Sequence, residues 1–292
     1  MSRAGRTGGP ALPPWIRGRK LRLGELHAVR VRLTEGALAT VCEEARCPNR
    51  SECFGRGTAT FLINGTVCTR SCGYCAVAHG RPAPLDPEEP ARLATVAERM
   101  GLAHVVITSV DRDDLPDGGA GAFVECIERL RELPHPPAVE VLTPDFRGDT
   151  TQVDRILDAG PEVYNHNVET VPRLYREVRR SGRYAWALEV LRRVTERGGD
   201  VVPKSGLMVG LGETEAEVLD VLADLASAGC RVVTIGQYLQ PTPAQVPVAR
   251  YWAPEEFEVL EREGRALGLE VVAGPFVRSS YRAEEAYLRV HG

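Results

Sequence analysis

Residues 58–77 read TATFLINGTVCTRSCGYCAV: a β-rich run, TATFLI, passes into a loop that carries Cys68, Cys72 and Cys75. The segments that follow alternate between helix-like and strand-like. DPEEPARLATVAERMG has acids in its first turn and a glycine at its stop, the marks of a helix. Then come strand HVVITS (104–109), helix GAGAFVECIERLREL, strand AVEVLTP (138–144), helix TTQVDRILDAG and strand VYNHNVE (163–169). A helix around YAWALEVLRRVTERG leads to strand KSGLMVG (204–210), and helix TEAEVLDVLADLASAG leads to strand RVVTIGQYL (231–239). Thr214, with Glu217 three residues later, forms a capping box at the start of that last helix.

Six strands at this spacing fit parallel βαβ units, which either close into a full or partial barrel or open into a doubly wound sheet. GLMVGLGET has glycines but no G-x-G-x-x-G between strand and helix, so the dinucleotide fingerprint is absent. Polar residues collect at the C-terminal ends of the strands: Thr108, Ser109 and Asp111; Thr143 and Asp145; Asn165, Asn167 and Glu169; Gln237. Barrels carry their active sites on that rim. The expected fold is therefore α/β, a partial (β/α)6 TIM-like barrel over residues 58–245. An N-terminal arm and extension (1–57) precede it and a C-terminal extension (246–292) follows.

The 292 residues are enough to bury a sizeable core, and 43% hydrophobic with 26% charged residues is ordinary globular composition. A net charge of −4 argues against nucleic acid or an anionic membrane as partner. No apolar run reaches bilayer length. The first 24 residues, rich in Arg, Gly and Pro, suit a loosely ordered arm better than a transit peptide. Without a signal peptide the expected compartment is the reducing cytoplasm, where eight cysteines are not a disulfide framework. Cys126, in helix-like AFVECIERL, and Cys230, before RVVTI, are expected as small core residues.

The other six cysteines form two trios. Cys68, Cys72 and Cys75 are spaced C-x3-C-x2-C; Cys42, Cys47 and Cys53, in CEEARCPNRSEC, are spaced C-x4-C-x5-C. Neither spacing matches the paired C-x2-C knuckles of zinc sites. Soft thiolates select zinc, copper(I) or iron–sulfur. One merged four-thiolate cluster would leave two cysteines over, whereas two sites of three use all six. Three thiolates on a [4Fe–4S] cube leave the fourth iron open. The competing reading is a zinc-stabilised N-terminal knot with spare cysteines.

The C-x3-C-x2-C loop after the first strand resembles that of the radical S-adenosylmethionine enzymes. Within that superfamily the chain resembles the lipoyl synthases in both cysteine trios, EARCPN, CGYCAV, VITSVDRDDLPDGGA, EVLTPDF, NHNVETV, KSGLMVGLGET, TIGQYLQPT and RSSY at 278–281. The resemblance spans residues 40 to 283. It implies insertion of two sulfur atoms, at C6 and C8, into an octanoyl chain on a carrier-protein lysine. It also implies two [4Fe–4S] clusters and S-adenosylmethionine as cofactors. By similarity, Cys68, Cys72 and Cys75 bind the cluster that cleaves the cofactor. Cys42, Cys47 and Cys53 bind an auxiliary, sulfur-donating cluster closed by a serine of RSSY, here Ser280 in preference to Ser279.

Within that frame, Asn167 and Glu169 alternate along one strand face and point towards the barrel mouth. Ser109 and Asp111 are similarly placed, and Gln237 ends the sixth strand. Lys204 is one of two lysines in the chain. All six are candidate contacts to S-adenosylmethionine or a cluster. His166 alternates to the opposite face from Asn165 and Asn167, and reads as a buried, satisfied histidine. PDGGAG reads as a turn. The implied partners are octanoylated lipoyl-carrier proteins (E2 lipoyl domains and the glycine-cleavage H protein), an electron donor such as ferredoxin or flavodoxin, and an iron–sulfur carrier that rebuilds the auxiliary cluster. A biotin synthase-like sulfur inserter shares the loop and barrel but lacks the first trio and the late RSSY. A methylthiolating RNA enzyme would need a basic appended domain. A non-catalytic electron carrier would not need a barrel with a polar rim.

Overall fold

A computed structural model describes residues 10–17, 36–47, 49, 52–53, 60–197, 199–281 and 283–291. Most of the expected N-terminal arm, and residues 58–59 of the first expected strand, lie outside them. Of that arm the described part includes one helical turn, α1 (Pro14–Arg17), with Ile16 buried.

One eight-stranded sheet organises the chain. Two-residue β1 (Ala39–Thr40) pairs antiparallel with β2 (Thr60–Ile63). From β2 onward every pairing is parallel: β5 (His104–Ser109), β6 (Ala138–Leu142), β7 (Val163–Asn165), β8 (Val202–Val209), β9 (Val232–Gln237) and β10 (Glu270–Gly274) follow in spatial order. Short β3 (Val67–Cys68) and β4 (Ala78–His79) pair apart from the sheet and bracket the second cysteine trio. The sheet opens between β1 and β10, so the barrel is partial, as expected. It runs one strand further than expected, because β10 belongs to it. β10 lies in the stretch read as the C-terminal extension, past residue 245. EVVAG lies well past the last polar-rim motif and carries no polar residue at its end to mark it as a seventh strand.

Alternation sorts each strand into two faces. On the outer face Val105, Ile107, Val139, Val141 and Tyr164 pack against helices that include α4 (Ala120–Arg131) and α5 (Thr150–Asp158), through Phe123, Ile127, Val153 and Ile156. Leu207, Val209, Val233 and Ile235 pack against α8 (Glu215–Ser227) and α9 (Pro254–Ala266), through Val218, Leu222, Phe257 and Leu260. Cys126 and Cys230 are buried in these two clusters, as core residues. The capping box forms as read: Thr214 N donates to Glu217 Oε2 at 2.9 Å, and Glu217 N donates to Thr214 Oγ1 at 3.3 Å. In the PDGGAG turn the Asp117 carboxylate accepts from the amides of Gly119 and Gly121 at 3.0 and 2.9 Å, at the start of α4.

The inner face differs between the two ends of the barrel. At the bottom, Lys204 Nζ donates to both carboxylate oxygens of Glu140, at 2.8 and 2.9 Å. His104 Nε2 lies 3.6 Å from that carboxylate and Asn165 Nδ2 donates to it at 3.2 Å. The C-terminal helix α10 (Ala283–His291) caps this end. Its Tyr287 packs on Val163, Val202 and Val232 and lies 6.0 Å, ring to ring, from His104. At the top the inner face turns to small and polar residues and opens into a cavity.

Candidate active site at the mouth of the barrel

The cavity at the C-terminal ends of the strands measures about 520 Å³, and its wall includes Cys42, Cys47, Cys53, Cys68, Cys72 and Cys75. None of the six is in a disulfide. Between them lie inner-face strand residues, including Thr60 and Leu62 of β2, Thr108 of β5, Leu142 of β6, Gly206 and Met208 of β8, and Thr234 and Gly236 of β9.

The loop holding the second trio has little regular structure, and one side chain fixes it. Arg70, with its side chain only 3% exposed, forks onto Asp113 through Nε and Nη2 at 2.7 and 2.8 Å. Its Nη1 reaches Asp111 at 3.2 Å and Asp145 at 2.8 Å. Thr69 adds a backbone bond and a hydroxyl bond to the Asp111 carbonyl, at 3.0 and 2.9 Å. Gly73 donates to the Val178 carbonyl at 2.8 Å, and a Cβ at Gly73 would lie 2.6 Å from the Glu177 carbonyl oxygen. Only glycine brings the loop that close. The loop is thus built on the VDRDD stretch and on the helical turn α6 (Tyr175–Val178).

The electrostatics of the wall are set by burial. Burial pushes the thiol of Cys42 up to about 12, that of Cys68 to about 11 and that of Cys72 to about 12, and raises Cys75. Such thiols stay protonated near neutrality unless a metal supplies compensating charge and takes the proton's place. Burial also raises the carboxyls of Asp111 and Glu169, against the pull of Arg70 on the first and Arg179 on the second. Glu169 takes a left-handed backbone, φ 67°, at a single bridge to Leu207. This turns its carboxylate onto the Asn167 amide at 3.1 Å. Ser109 Oγ is buried in the wall with no hydrogen-bond partner in the protein.

The first trio is tied to the far end of the chain. Asn49 Nδ2 donates to the Phe276 carbonyl at 2.5 Å, and Tyr281 Oη donates to Glu52 at 2.8 Å. Thr60 Oγ1 donates to Ser280 Oγ at 2.7 Å, and Cys42 lines the same cavity wall as both. Ser279 instead pairs with Asn167. The two serines of RSSY thus face different parts of one wall, Ser280 towards the first trio.

The cavity wall includes the residues expected as iron ligands, together with Ser109, Asp111, Asn167 and Glu169. Two candidates fall elsewhere. Lys204 lies on the inner face, but two residues nearer the strand's start than Gly206, about 7 Å deeper at strand rise. There it is consumed by Glu140. Gln237 shares the outer parity of Val233 and Ile235. Its Nε2 donates to the Tyr238 and Arg250 carbonyls at 3.0 and 3.1 Å, and its Oε1 accepts from Trp252 N at 2.8 Å. Neither is a cofactor contact: the first is a core ion pair and the second fastens the segment that leads to α9.

His166 is satisfied as expected, its Nδ1 2.8 Å from the Thr143 carbonyl oxygen and its Nε2 3.3 Å from Arg179, although it also borders the cavity. Burial, then Arg179, lowers its pKa to about 3, so the ring is neutral. Sequence reading missed Arg70 and Arg179. For Arg70 the signal was an arginine inside a cysteine loop, in a chain whose DRDD motif needs a cation. Arg179, which donates to the Asn167 carbonyl at 2.5 Å, carried no local signal.

Both trios line the one cavity. Among the described residues no three His, Cys, Asp or Glu side chains close on one point as the ligands of one metal ion do.

Comparisons with known proteins agree with this geometry. Residues 63–225 match the family model described as the Radical SAM superfamily. A lipoyl synthase from Xylella fastidiosa is 53% identical over 277 residues, 93% of this chain and 74% of that protein. One from Thioalkalivibrio sulfidiphilus is 52% identical over 280 residues, 95% and 88% of the two chains. Among solved structures, methylornithine synthase superposes with a TM-score of 0.55 at 15% identity, covering 88% of this chain and 83% of that one. That likeness speaks to fold alone.

Proposed function

Because the chain belongs to the lipoyl synthase family of the radical S-adenosylmethionine superfamily, we propose that its two cysteine trios divide one reaction between them. The activity is insertion of sulfur at C6 and C8 of an octanoyl group carried on a lipoyl-carrier protein. S-adenosylmethionine and iron–sulfur centres are the cofactors the family implies. In our reading there are two [4Fe–4S] clusters, one on Cys68, Cys72 and Cys75, the other on Cys42, Cys47, Cys53 and Ser280. When bound, these groups supply what side chains cannot: a carbon radical able to take hydrogen from an unactivated chain, and the sulfur that replaces it.

The observation that carries this reading is a single cavity walled by both trios and by Ser280, with apolar side chains between them. The residues fit the groups: six thiols free of disulfides, an unpartnered Ser109 hydroxyl, and the Asp111 and Glu169 carboxyls on the same wall. In this reading Ser109, Asp111, Asn167 and Glu169 bind and orient S-adenosylmethionine. Leu62, Leu142 and Met208 seat the octanoyl chain and keep water from the reacting carbon. The carriers are E2 lipoyl domains and the glycine-cleavage H protein, the electron donor is ferredoxin or flavodoxin, and an iron–sulfur carrier rebuilds the auxiliary cluster. A cytoplasmic setting accords with the free cysteines. Among the described residues no helix is long and apolar enough to cross a membrane.

Mass spectrometry of an octanoylated carrier domain, after anaerobic reaction with dithionite and S-adenosylmethionine, tests the proposal. The expected product has gained two sulfurs for two hydrogens, and an unchanged carrier mass refutes it. Reconstituted protein should hold roughly eight irons and eight sulfides, as two cubes require; stoichiometric zinc in the isolated protein would contradict the cluster assignment.

A further inference from the structure

RSSY holds two serines, and only one is needed to close a cluster. The other has a partner of its own. Ser279 Oγ accepts from Asn167 Nδ2 at 2.7 Å and donates to Asn167 Oδ1 at 3.0 Å, so one hydroxyl uses both ends of one amide. Asn167 is held in turn by Glu169 at 3.1 Å. The strands beneath make room for this contact. A Cβ on Gly206 would lie 2.9 Å from Asn167 Oδ1 and 3.2 Å from Ser279 Oγ. One on Gly236 would drive into the Val277 carbonyl. Two inner-face glycines on adjacent strands thus let the C-terminal segment sink onto the sheet.

We propose that Ser279 is a positioning residue: by clasping Asn167 it moors residues 276–281 on the cavity wall, and so aims Ser280 at the first cysteine trio. The inference rests on Ser280 as the auxiliary ligand, and it goes further by giving the neighbouring serine a separate task. Its consequence is a direct link between the halves of the site. Asn167 stands on the wall assigned to S-adenosylmethionine, and one peptide unit separates its partner from the ligand of the other cluster. Loss of the clasp should leave the three cysteines of each trio in place but loosen the fourth ligand.

The test uses the full chain, first without clusters. Hydrogen exchange of amides 276–281 is measured in the parent protein, in Ser279→Ala, in Asn167→Ala and in the double variant. Each single variant should exchange about five- to tenfold faster, the worth of one buried hydrogen bond, and the double variant no faster than either. Additive effects, or parent-like exchange in Ser279→Ala, overturn the proposal. With clusters loaded, Ser279→Ala should retain its iron content yet weaken the Mössbauer signature of an oxygen-ligated iron. It should also form several-fold more 5′-deoxyadenosine per sulfur inserted. A parent-like signature and stoichiometry would overturn it too. If the parent protein made no lipoyl product, the functional assignment would fail while the exchange measurements still judged the clasp.

Discussion

The two ends of this barrel bury charge for opposite purposes. At the bottom, Glu140, Lys204 and His104 face one another across strands β6, β8 and β5, beneath a helix that caps them, and leave no space for a water molecule. At the top, Arg70 and Arg179 face Asp111, Asp113, Asp145 and Glu169 around an open volume. At the bottom Lys204 and Glu140 are matched one cation to one anion. The top is not paired off in this way: carboxyls, guanidiniums and thiols line an open volume. A buried pair that closes on itself is architecture, whereas a buried set that does not close is a place for a ligand.

Four experiments probe that contrast. The largest effect belongs to the top. Cys68→Ala should abolish cleavage of S-adenosylmethionine, read as 5′-deoxyadenosine by chromatography. Cys47→Ala should spare cleavage and lose sulfur insertion, and insertion retained in Cys47→Ala would dissolve the division of labour between the trios.

At the bottom, Lys204→Met strands the Glu140 carboxylate and should cost about 3–5 kcal/mol in denaturant unfolding. Adding Glu140→Leu should recover most of that loss. A single variant as stable as the parent would show that the bottom end is not closed by this pair.

Third, Arg70→Lys keeps the charge but loses the fork onto Asp113. We expect cleavage to fall about 10- to 100-fold, as when a group that orients metal ligands is removed, with little change in unfolding midpoint. A large loss of stability instead would make Arg70 a counterpart of Lys204.

The smallest effect is one of pH. Burial alone would raise the Glu140 carboxyl, but Lys204 and His104 outweigh it and hold it below its ordinary value. A lowered carboxylate stabilises the fold above its unfolded pKa, and the contribution fades as pH falls through the lower folded value. The parent's stability should therefore drop on acidification below about pH 4.5, the ordinary carboxylate range. Glu140→Gln should flatten that part of the curve, and an unchanged slope would deny Glu140 its ionised state.

Much of this was legible beforehand, and the reasons are physical. Strand and helix order followed from apolar periodicity and caps, so HVVITS formed the strand His104–Ser109 without adjustment. The trios were legible because chelation needs several thiols at short range, and short range was visible in the spacing. What escaped was depth. Lys204 and Gly206 share a face, and rarity drew attention to the lysine, yet only the level along the barrel axis separates a pillar from a cradle. Gln237 escaped through parity, since alternation counted from Val233 puts it outside. Arg179 was invisible because its partners, Asp145, His166 and Asn167, come from other elements.

The contact between Thr60 and Ser280 joins residues 220 positions apart, and this orders events during synthesis. The Cys68–Cys75 loop and the VDRDD stretch that braces it leave the ribosome early and near together. The other site, as we assign it, lacks its last ligand until residue 280 of 292 has emerged. A chain that stopped between Gly274 and Ser280 would keep every strand of the sheet and all eight cysteines, yet lack one corner of a cluster. In this assignment the serine is a late mark: the first trio's site is completed only after synthesis has run past residue 280.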